Sequence, residues 1–220
     1  MSQVPIMGLT PSPNPYLVDH NPQAYTSMGL TAENVAAKFG ISREDQDRFA
    51  LSSHQKAVKA IKEGKFKEEI LPILAKVRET KEDGSIAVKE VVFDTDEGVR
   101  YDASLEGMAS LKPVFKANGT VTAGNSSQTS DAAAAVILMS RQRAEAMKLK
   151  PLGVFRSFAV AGVPPEIMGI GPAFAAPKAL QKAGLTVKDI GLVELNEAFA
   201  SQVLGVMREI PFDIEKTNVH

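Results

Sequence analysis

The sequence predicts an α/β fold, a sheet covered by helices on both faces, on the strength of two observations. After residue 130, short apolar runs alternate with segments of helical period, the pattern of strand–helix units. The first hundred residues lack that alternation and read as an excursion of different build. The length agrees: 220 residues make one large domain or two small ones, enough to bury a sizeable core.

Residues 1–25 carry Pro5, Pro11, Pro13, Pro15 and Pro22, a density that opposes helix and central strand alike. An extended arm lying on another part of the molecule is predicted. Thr31 is placed to cap a helix with Glu33 in its first turn, Val35, Ala36 and Phe39 on its apolar face, and Gly40 as its stop. Ser42-Arg43-Glu44-Asp45 reads as a capping box for the next helix. That helix sets Phe49, Ala50, Ala57, Ala60 and Ile61 on one side and Lys56, Lys59 and Lys62 largely on the other, with Gly64 ending it. Alternation over residues 73–78 and 86–89, around Glu82-Asp83-Gly84, predicts a hairpin whose charged turn points into water. Residues 94–102 are acidic and irregular, and a short helical stretch over 105–111 is closed by Pro113.

From Thr120 the chain becomes small, apolar and rich in Gly and Ala. Residues 132–139 read as a buried strand or a buried helix, which a short apolar run does not distinguish. Residues 144–149 are helical and Pro151 breaks them; 154–160 read as a strand. Gly169-Ile170-Gly171-Pro172 leads into a helix over 173–183, with Pro172 in its first turn. Residues 190–195 read as a buried strand running into a helix over 197–209.

Composition excludes several functions. Lys and Arg number 25 against 26 Asp and Glu, so a net charge of −1 gives no reason to expect nucleic acid or an anionic membrane as partner. With no Cys there is no disulfide, Cys-ligated zinc, iron–sulfur cluster or thiol nucleophile on this sequence. The 3 scattered His argue against a His-rich metal site. The longest strongly apolar run, 132–139, is far short of the roughly 20 residues of a membrane span. Met1-Ser2-Gln3-Val4-Pro5 lacks a charged region followed by an apolar one, so the expectation is no secretory signal and a cytoplasmic location.

Four segments invite a chemical reading. Asp94-Thr95-Asp96-Glu97-Gly98 resembles a calcium loop, but Gly falls at the fifth place rather than the sixth and Leu105 stands at the twelfth; a solvated acidic turn is the reading. Gly169-Ile170-Gly171-Pro172-Ala173-Phe174 begins like a dinucleotide fingerprint, yet Phe174 replaces the third small residue and Pro172 removes an N–H; a tight turn into a helix is expected. Ala123-Gly124-Asn125-Ser126-Ser127 offers close backbone approach and small donors to a ligand, and a helix cap explains it equally well. Asn196 stands at a strand-to-helix junction, where an amide holds a water or an oxyanion, or caps the helix. His20, His54 and His220 have no acid, Ser or metal-ligand partner at a recognisable spacing, and His54 is expected on or near the surface of its helix.

Taken together, and in this order, these blocks resemble the thiolase family, enzymes that cleave 3-ketoacyl-CoA with coenzyme A or run the reverse condensation. The resembling motifs are Ser27-Met28-Gly29-Leu30-Thr31-Ala32-Glu33-Asn34, Thr122-Ala123-Gly124-Asn125-Ser126-Ser127, Met168-Gly169-Ile170-Gly171-Pro172 and Asn196-Glu197-Ala198-Phe199-Ala200. Arg43-Glu44-Asp45-Gln46-Asp47 and Leu105-Glu106-Gly107-Met108-Ala109-Ser110-Leu111-Lys112-Pro113 are similar to thiolase sequence as well. Each motif alone is weak; the combination is specific and covers essentially the whole chain.

The resemblance implies an incomplete thiolase-like α/β fold: a loop domain that covers coenzyme A over residues 1–118, the end of the N-terminal half over 119–150 and the start of the C-terminal half over 151–220. It implies that Ser127 hydrogen-bonds the pantetheine arm, Arg100 contacts the nucleotide end of coenzyme A, and Phe115 packs on the arm. Met28, Met168 and Phe199 would line the acyl pocket, and Asn196 would fix a water of an oxyanion hole. Coenzyme A or acyl-CoA is the implied substrate, with no covalently bound cofactor, and a homo-oligomer is implied for the full-length parent in fatty-acid β-oxidation. The family's nucleophilic Cys precedes the matched segment, and its Gly-His-Pro histidine and second Cys follow it, so His220 is not given the catalytic role. The expectation is a chain truncated at both ends, inactive alone, with bare strand edges and apolar faces that lower its stability. A non-catalytic coenzyme A-binding fragment or a gene remnant is the alternative.

Overall fold

The computed structural model describes residue 8 and residues 10–220. The opening of the expected arm, with Pro5 and the segment read for a secretory signal, lies outside the described residues. The rest of the arm corrects the expectation of extended chain. Helix α1 (Pro15–His20) begins on Pro15, where a missing N–H breaks no helical bond, and Asn14 Oδ1 accepts from Tyr16 N at 2.9 Å. A 3₁₀ turn, Pro22–Tyr25, also starts on its proline, and Asn14 N donates to Tyr25 Oη at 2.8 Å. Proline density therefore sets helix starts here. The second turn packs on residues 165–170, so the arm does lie on another part of the molecule.

Helix α2 (Met28–Phe39) starts ahead of the expected cap: Ser27 is at the N-cap, and Thr31 is internal, its hydroxyl donating to Met28 O at 2.7 Å. Gly40, at φ 59°, ends it in the left-handed region, as glycine permits. Helix α3 (Arg43–Lys62) opens on the predicted capping box, with Asp45 N donating to Ser42 Oγ at 3.0 Å and Ser42 N to Asp45 Oδ2 at 3.4 Å. The Ser42 hydroxyl and then the Ser42 backbone N–H, both beside the Asp45 carboxyl, hold it below its usual pKa. Lys59 and Lys62 are exposed as expected, but Lys56 reaches across to donate to Thr217 O at 3.1 Å.

Strands β1 (Ile73–Thr80) and β2 (Ile86–Phe93) pair antiparallel, Ile73 opposite Phe93 and Thr80 opposite Ile86. Gly84, at φ 80°, makes the turn possible, and Asp83 Oδ1 accepts from Ser85 N at 2.9 Å. Helix α4 (Leu105–Ala109) is shorter than its expected stretch and is capped by Ser104. Helix α5 (Arg141–Ala146) starts and ends earlier than expected and is capped by Ser140. A 3₁₀ turn, Pro165–Ile170, runs into helix α6 (Gly171–Ala183) as the Gly-Pro pattern predicted. Helix α7 (Ala200–Glu209) starts after Phe199, later than expected.

The core lies where α2, α7 and the 165–170 turn meet. Val35, Ala36, Ile41, Ile167 and Ile170 pack there. Gly205 lets α7 sit close, since a Cβ on it would come within 2.7 Å of Val35 Cγ1. Ala173, Val206 and Ile210 form a second cluster between α6 and α7.

The strands expected after residue 130 do not appear as a sheet. Among the described residues the hairpin β1–β2 is the sole sheet. Residues 132–139 are neither strand nor helix and are not buried: Val136, Ile137 and Leu138 are 84, 86 and 80% exposed. Residues 154–160 form no ladder, although Ser157 Oγ donates to Ala179 O at 2.7 Å and Lys182 Nζ to Phe158 O at 3.0 Å, laying the segment along α6. Residues 190–195 contribute one parallel bridge, Val193 to Thr217, and are at most half-buried. A strand's N–H and C=O groups require neighbours, and these segments find almost none among the described residues. No helix among them is long and apolar enough to cross a membrane.

Candidate functional site

Two of the singled-out motifs meet edge to edge. Ser127 N donates to Ala198 O and Ala200 N to Asn125 O, both at 3.0 Å, so Ser126 and Phe199 form an antiparallel bridge. Behind this seam, buried carboxylates on α2 and α3 hold the 120–127 loop. Glu33 Oε1 accepts from Thr120 N and Val121 N, each at 2.8 Å. Asp47 Oδ1 accepts from Asn125 Nδ2 at 2.9 Å, and Asp47 Oδ2 takes Arg43 Nε at 2.8 Å. Asn125 Oδ1 in turn accepts from Thr122 N at 2.8 Å.

This geometry settles what the small polar residues of the loop do. Asn125 is buried and its amide is committed to Asp47, Thr120 and Thr122, while Ser126 Oγ donates to Thr122 O at 2.6 Å. Neither is free for a ligand, and no helix follows for them to cap. Ser127 differs: it is exposed, and its hydroxyl reaches only Gln128 O at 3.2 Å.

The expected ligand residues fall into separate groups. Phe199 is buried with Ala32 and Val121, and the Phe115 ring meets its edge at a centroid distance of 6.2 Å and 81°. A Cβ on Gly29 would overlap the Phe115 ring, so glycine is what admits it, next to exposed Met28. Met28, Phe115, Ser127 and Phe199 thus gather around one seam. Met168 is exposed on the 165–170 turn.

Asn196 stands in a recess of about 400 Å³ on the other side of its motif, with Ser53, Glu197, Asn218 and His220. It does not cap α7, which begins at Ala200. Its side-chain amide is exposed and, among the described residues, makes no hydrogen bond. Its neighbours are clamped. Leu195 N donates to Asn218 Oδ1 and Asn218 Nδ2 to Leu195 O, both at 2.8 Å. Glu197 accepts from Ser53 Oγ at 2.5 Å and from Asn218 Nδ2 at 2.6 Å. An unengaged amide between fixed neighbours can orient a water or a carbonyl oxygen. Sequence reasoning missed Ser53, Glu197 and Asn218, whose partners are up to 144 residues apart; Glu197 was signalled only as a member of the motif.

Arg100 lies in a further recess of about 390 Å³ on α3, with His54 and Tyr101. His54, expected on or near the surface of its helix, is half-buried at the edge of this recess, and its Nδ1 accepts from Arg100 N at 3.2 Å. Burial, and then the Arg100 charge, push the His54 pKa down, against a smaller pull upward from Glu197. Among the described residues no group of His and carboxylates is placed to hold a metal ion, and the 94–98 turn is largely exposed.

Comparison with known proteins bears on this arrangement. Residues 16–142 match the family description "Thiolase, N-terminal domain" and residues 149–220 match "Thiolase, C-terminal domain". A 3-ketoacyl-CoA thiolase of Bacillus subtilis is 58% identical over 220 residues, all of this chain and 56% of that protein. A peroxisomal 3-ketoacyl-CoA thiolase B of Rattus norvegicus is 56% identical over 191 residues, 87% of this chain and 44% of that one. The solved dimeric peroxisomal thiolase of Saccharomyces cerevisiae superposes with a TM-score of 0.79 at 40% identity, over 98% of this chain and 52% of that chain. Human mitochondrial 3-ketoacyl-CoA thiolase gives a TM-score of 0.78 at 39% identity, over 90% and 48%. The chain spans about half the length of the relatives it matches, and its α/β fold is correspondingly part of theirs.

Proposed function

The chain belongs to the thiolase family, and from that premise we propose that it supplies the coenzyme-binding and carbonyl-orienting side of a thiolase acyl transfer. The reaction is 3-ketoacyl-CoA plus coenzyme A giving acyl-CoA plus acetyl-CoA, in fatty-acid β-oxidation. Ser127 hydrogen-bonds the pantetheine arm and Phe115 packs on it; Arg100 contacts the nucleotide end. Met28, Met168 and Phe199 line the acyl pocket, and Asn196 fixes the water that receives charge developing on the carbonyl oxygen. The nucleophilic Cys and the base His come from residues outside this sequence, which contains no Cys. Residues 1–118 act as the loop domain, 119–150 as the end of the N-terminal half and 151–220 as the start of the C-terminal half. The working assembly is a cytoplasmic homo-oligomer.

The observation that carries this reading is the seam of residues 125–127 on 198–200. It joins the arm-binding Ser127 to the Asn196 motif, while the Asn196 amide stays unengaged. The test is calorimetric titration of the purified chain with coenzyme A, before and after the double change Arg100→Ala, Ser127→Ala. Saturable binding that weakens at least about tenfold in the double variant supports the reading; no binding by the parent chain sinks it. The absence of Cys favours a second reading, a coenzyme A-binding chain without catalysis. Mixing with separately produced N- and C-terminal thiolase pieces decides between the two: thiolysis restored supports catalysis, and a folded mixture without activity supports binding alone.

A further inference from the structure

The Asn196 amide owes its place to other residues. Among the described residues the Asn196 backbone makes no hydrogen bond, and its segment joins the 214–218 stretch through a single bridge, Val193 to Thr217. Its position is inherited from its two neighbours. Leu195 is held through both of its backbone groups by the Asn218 side chain. Glu197 has a donor on each carboxylate oxygen, Ser53 Oγ on Oε2 and Asn218 Nδ2 on Oε1, and a carboxylate held at both oxygens does not turn.

Two of the anchors come from α3. Ser53 and Lys56 stand three residues apart, on one face of the helix. Ser53 bonds Glu197, and Lys56 Nζ donates to Thr217 O at 3.1 Å. The two bonds land on the two segments that the Val193–Thr217 bridge pairs, one on each. Thr217 is buried, so little water competes for the charge-assisted bond on its carbonyl. The helix thus fixes both sides of the pair. Between the fixed points, Asn196 lines the recess with its amide uncommitted.

We propose that Ser53 and Lys56 are positioning residues for Asn196, holding from α3 the two segments that present its amide to the substrate carbonyl and its water. The inference rests on the carbonyl-orienting reading of Asn196 and extends it to a helix face that reading does not use. Each residue acts through another, Ser53 through Glu197 and Lys56 through Thr217. Helical periodicity puts Lys56 on a solvated face; the fold gives it a partner 161 residues away.

The experiment follows the side-chain NH₂ pair of Asn196 by NMR in the ¹⁵N-labelled chain, identified by its loss in Asn196→Ala. Ser53→Ala and Lys56→Met should each shift that pair or broaden it beyond detection. Ser53→Thr, which keeps the hydroxyl, should restore it. The Asn34 pair, which donates from α2 to Glu166 O at 2.9 Å, should stay in place. Acetoacetyl-CoA labelled with ¹³C at the ketone carbon gives the functional readout. Its bound ketone signal should move downfield in the parent chain as the oxygen is polarised, and Ser53→Ala should remove about half of that shift or more. Coenzyme A affinity by calorimetry should stay within about twofold. Asn196 signals unmoved in both variants, or Asn34 signals that move with them, overturn the positioning role. Coenzyme A affinity that falls in step with the ketone shift also overturns it, because Ser53 then serves binding. A parent ketone signal that stays at its free value, while the Asn196 pair responds to both variants, supports the positioning and sinks the carbonyl-orienting reading.

Discussion

The 120–127 loop and the 132–139 segment are near neighbours in sequence, and both are rich in small or apolar residues, yet they end in opposite states. In the first, Val121, Thr122 and Asn125 are buried and their polar groups are matched by α2, α3 and the 198–200 edge. In the second, large apolar side chains point into solvent. Apolar content does not separate them. What separates them is whether the chain itself provides partners for the backbone. The loop has two carboxylates and a strand edge waiting for it, and the segment has no ladder among the described residues.

The sharpest way to break that contrast is at Asn125. Replacing it with Ala leaves Asp47 Oδ1 and Thr122 N without their amide partner inside the protein. A loss of about 3 kcal/mol is expected, read as a shift of the urea midpoint. A loss below about 1 kcal/mol would mean that water replaces the amide and the seam is not specified by it. Next is a paired comparison of two valines. Val35→Ala, in the core, should lose about 2 kcal/mol, whereas Val136→Ala should change stability by less than about 0.5 kcal/mol. Equal effects would show that residues 132–139 pack somewhere in solution.

Solubility sharpens the same comparison from the other side. Ile137→Ser with Leu138→Ser should leave the unfolding midpoint in place and reduce light scattering on concentration, because both side chains already face water. Scattering that stays the same would move the sticky surface elsewhere, to the hairpin or to residues 152–160.

The smallest effects are protonic. The His54 pKa is lowered in the fold, so the folded state resists protonation more than the unfolded chain does. Its contribution to stability is complete above the ordinary His value of 6.5 and is lost as pH falls from there through the folded value. Unfolding followed between pH 7.5 and 5 should show that decline in the parent, less of it in His54→Gln; identical slopes would mean that other groups carry it. Asp83 works in the same direction at lower pH. Its carboxyl is held below 3.8, chiefly by the Ser85 hydroxyl, so the turn loosens as pH drops through the carboxylate range. The protection factor of the Ser85 amide is the measurement, and Asp83→Ala should remove the fall in that protection with pH.

Local signals in the sequence were sufficient wherever the deciding partners lie within a few residues. The Ser42–Asp45 box, the Gly40 stop, the hairpin turn and the Gly-Pro entry to α6 are of that kind. Family resemblance reached further, because motif order survives without any geometry, and it correctly identified the kind of fold. The tertiary structure alone decided which polar residues are spent and which are free. Asn125 and Ser126 look like ligand donors until Asp47, Thr120 and Thr122 engage them; Asn196 looks like a cap until α7 starts beyond it. His54 gains a partner only because a loop 46 residues away folds back beside it. The expected strands carry the same lesson in reverse: alternation describes a segment that could pair, and pairing depends on another stretch of backbone being close enough to donate and accept.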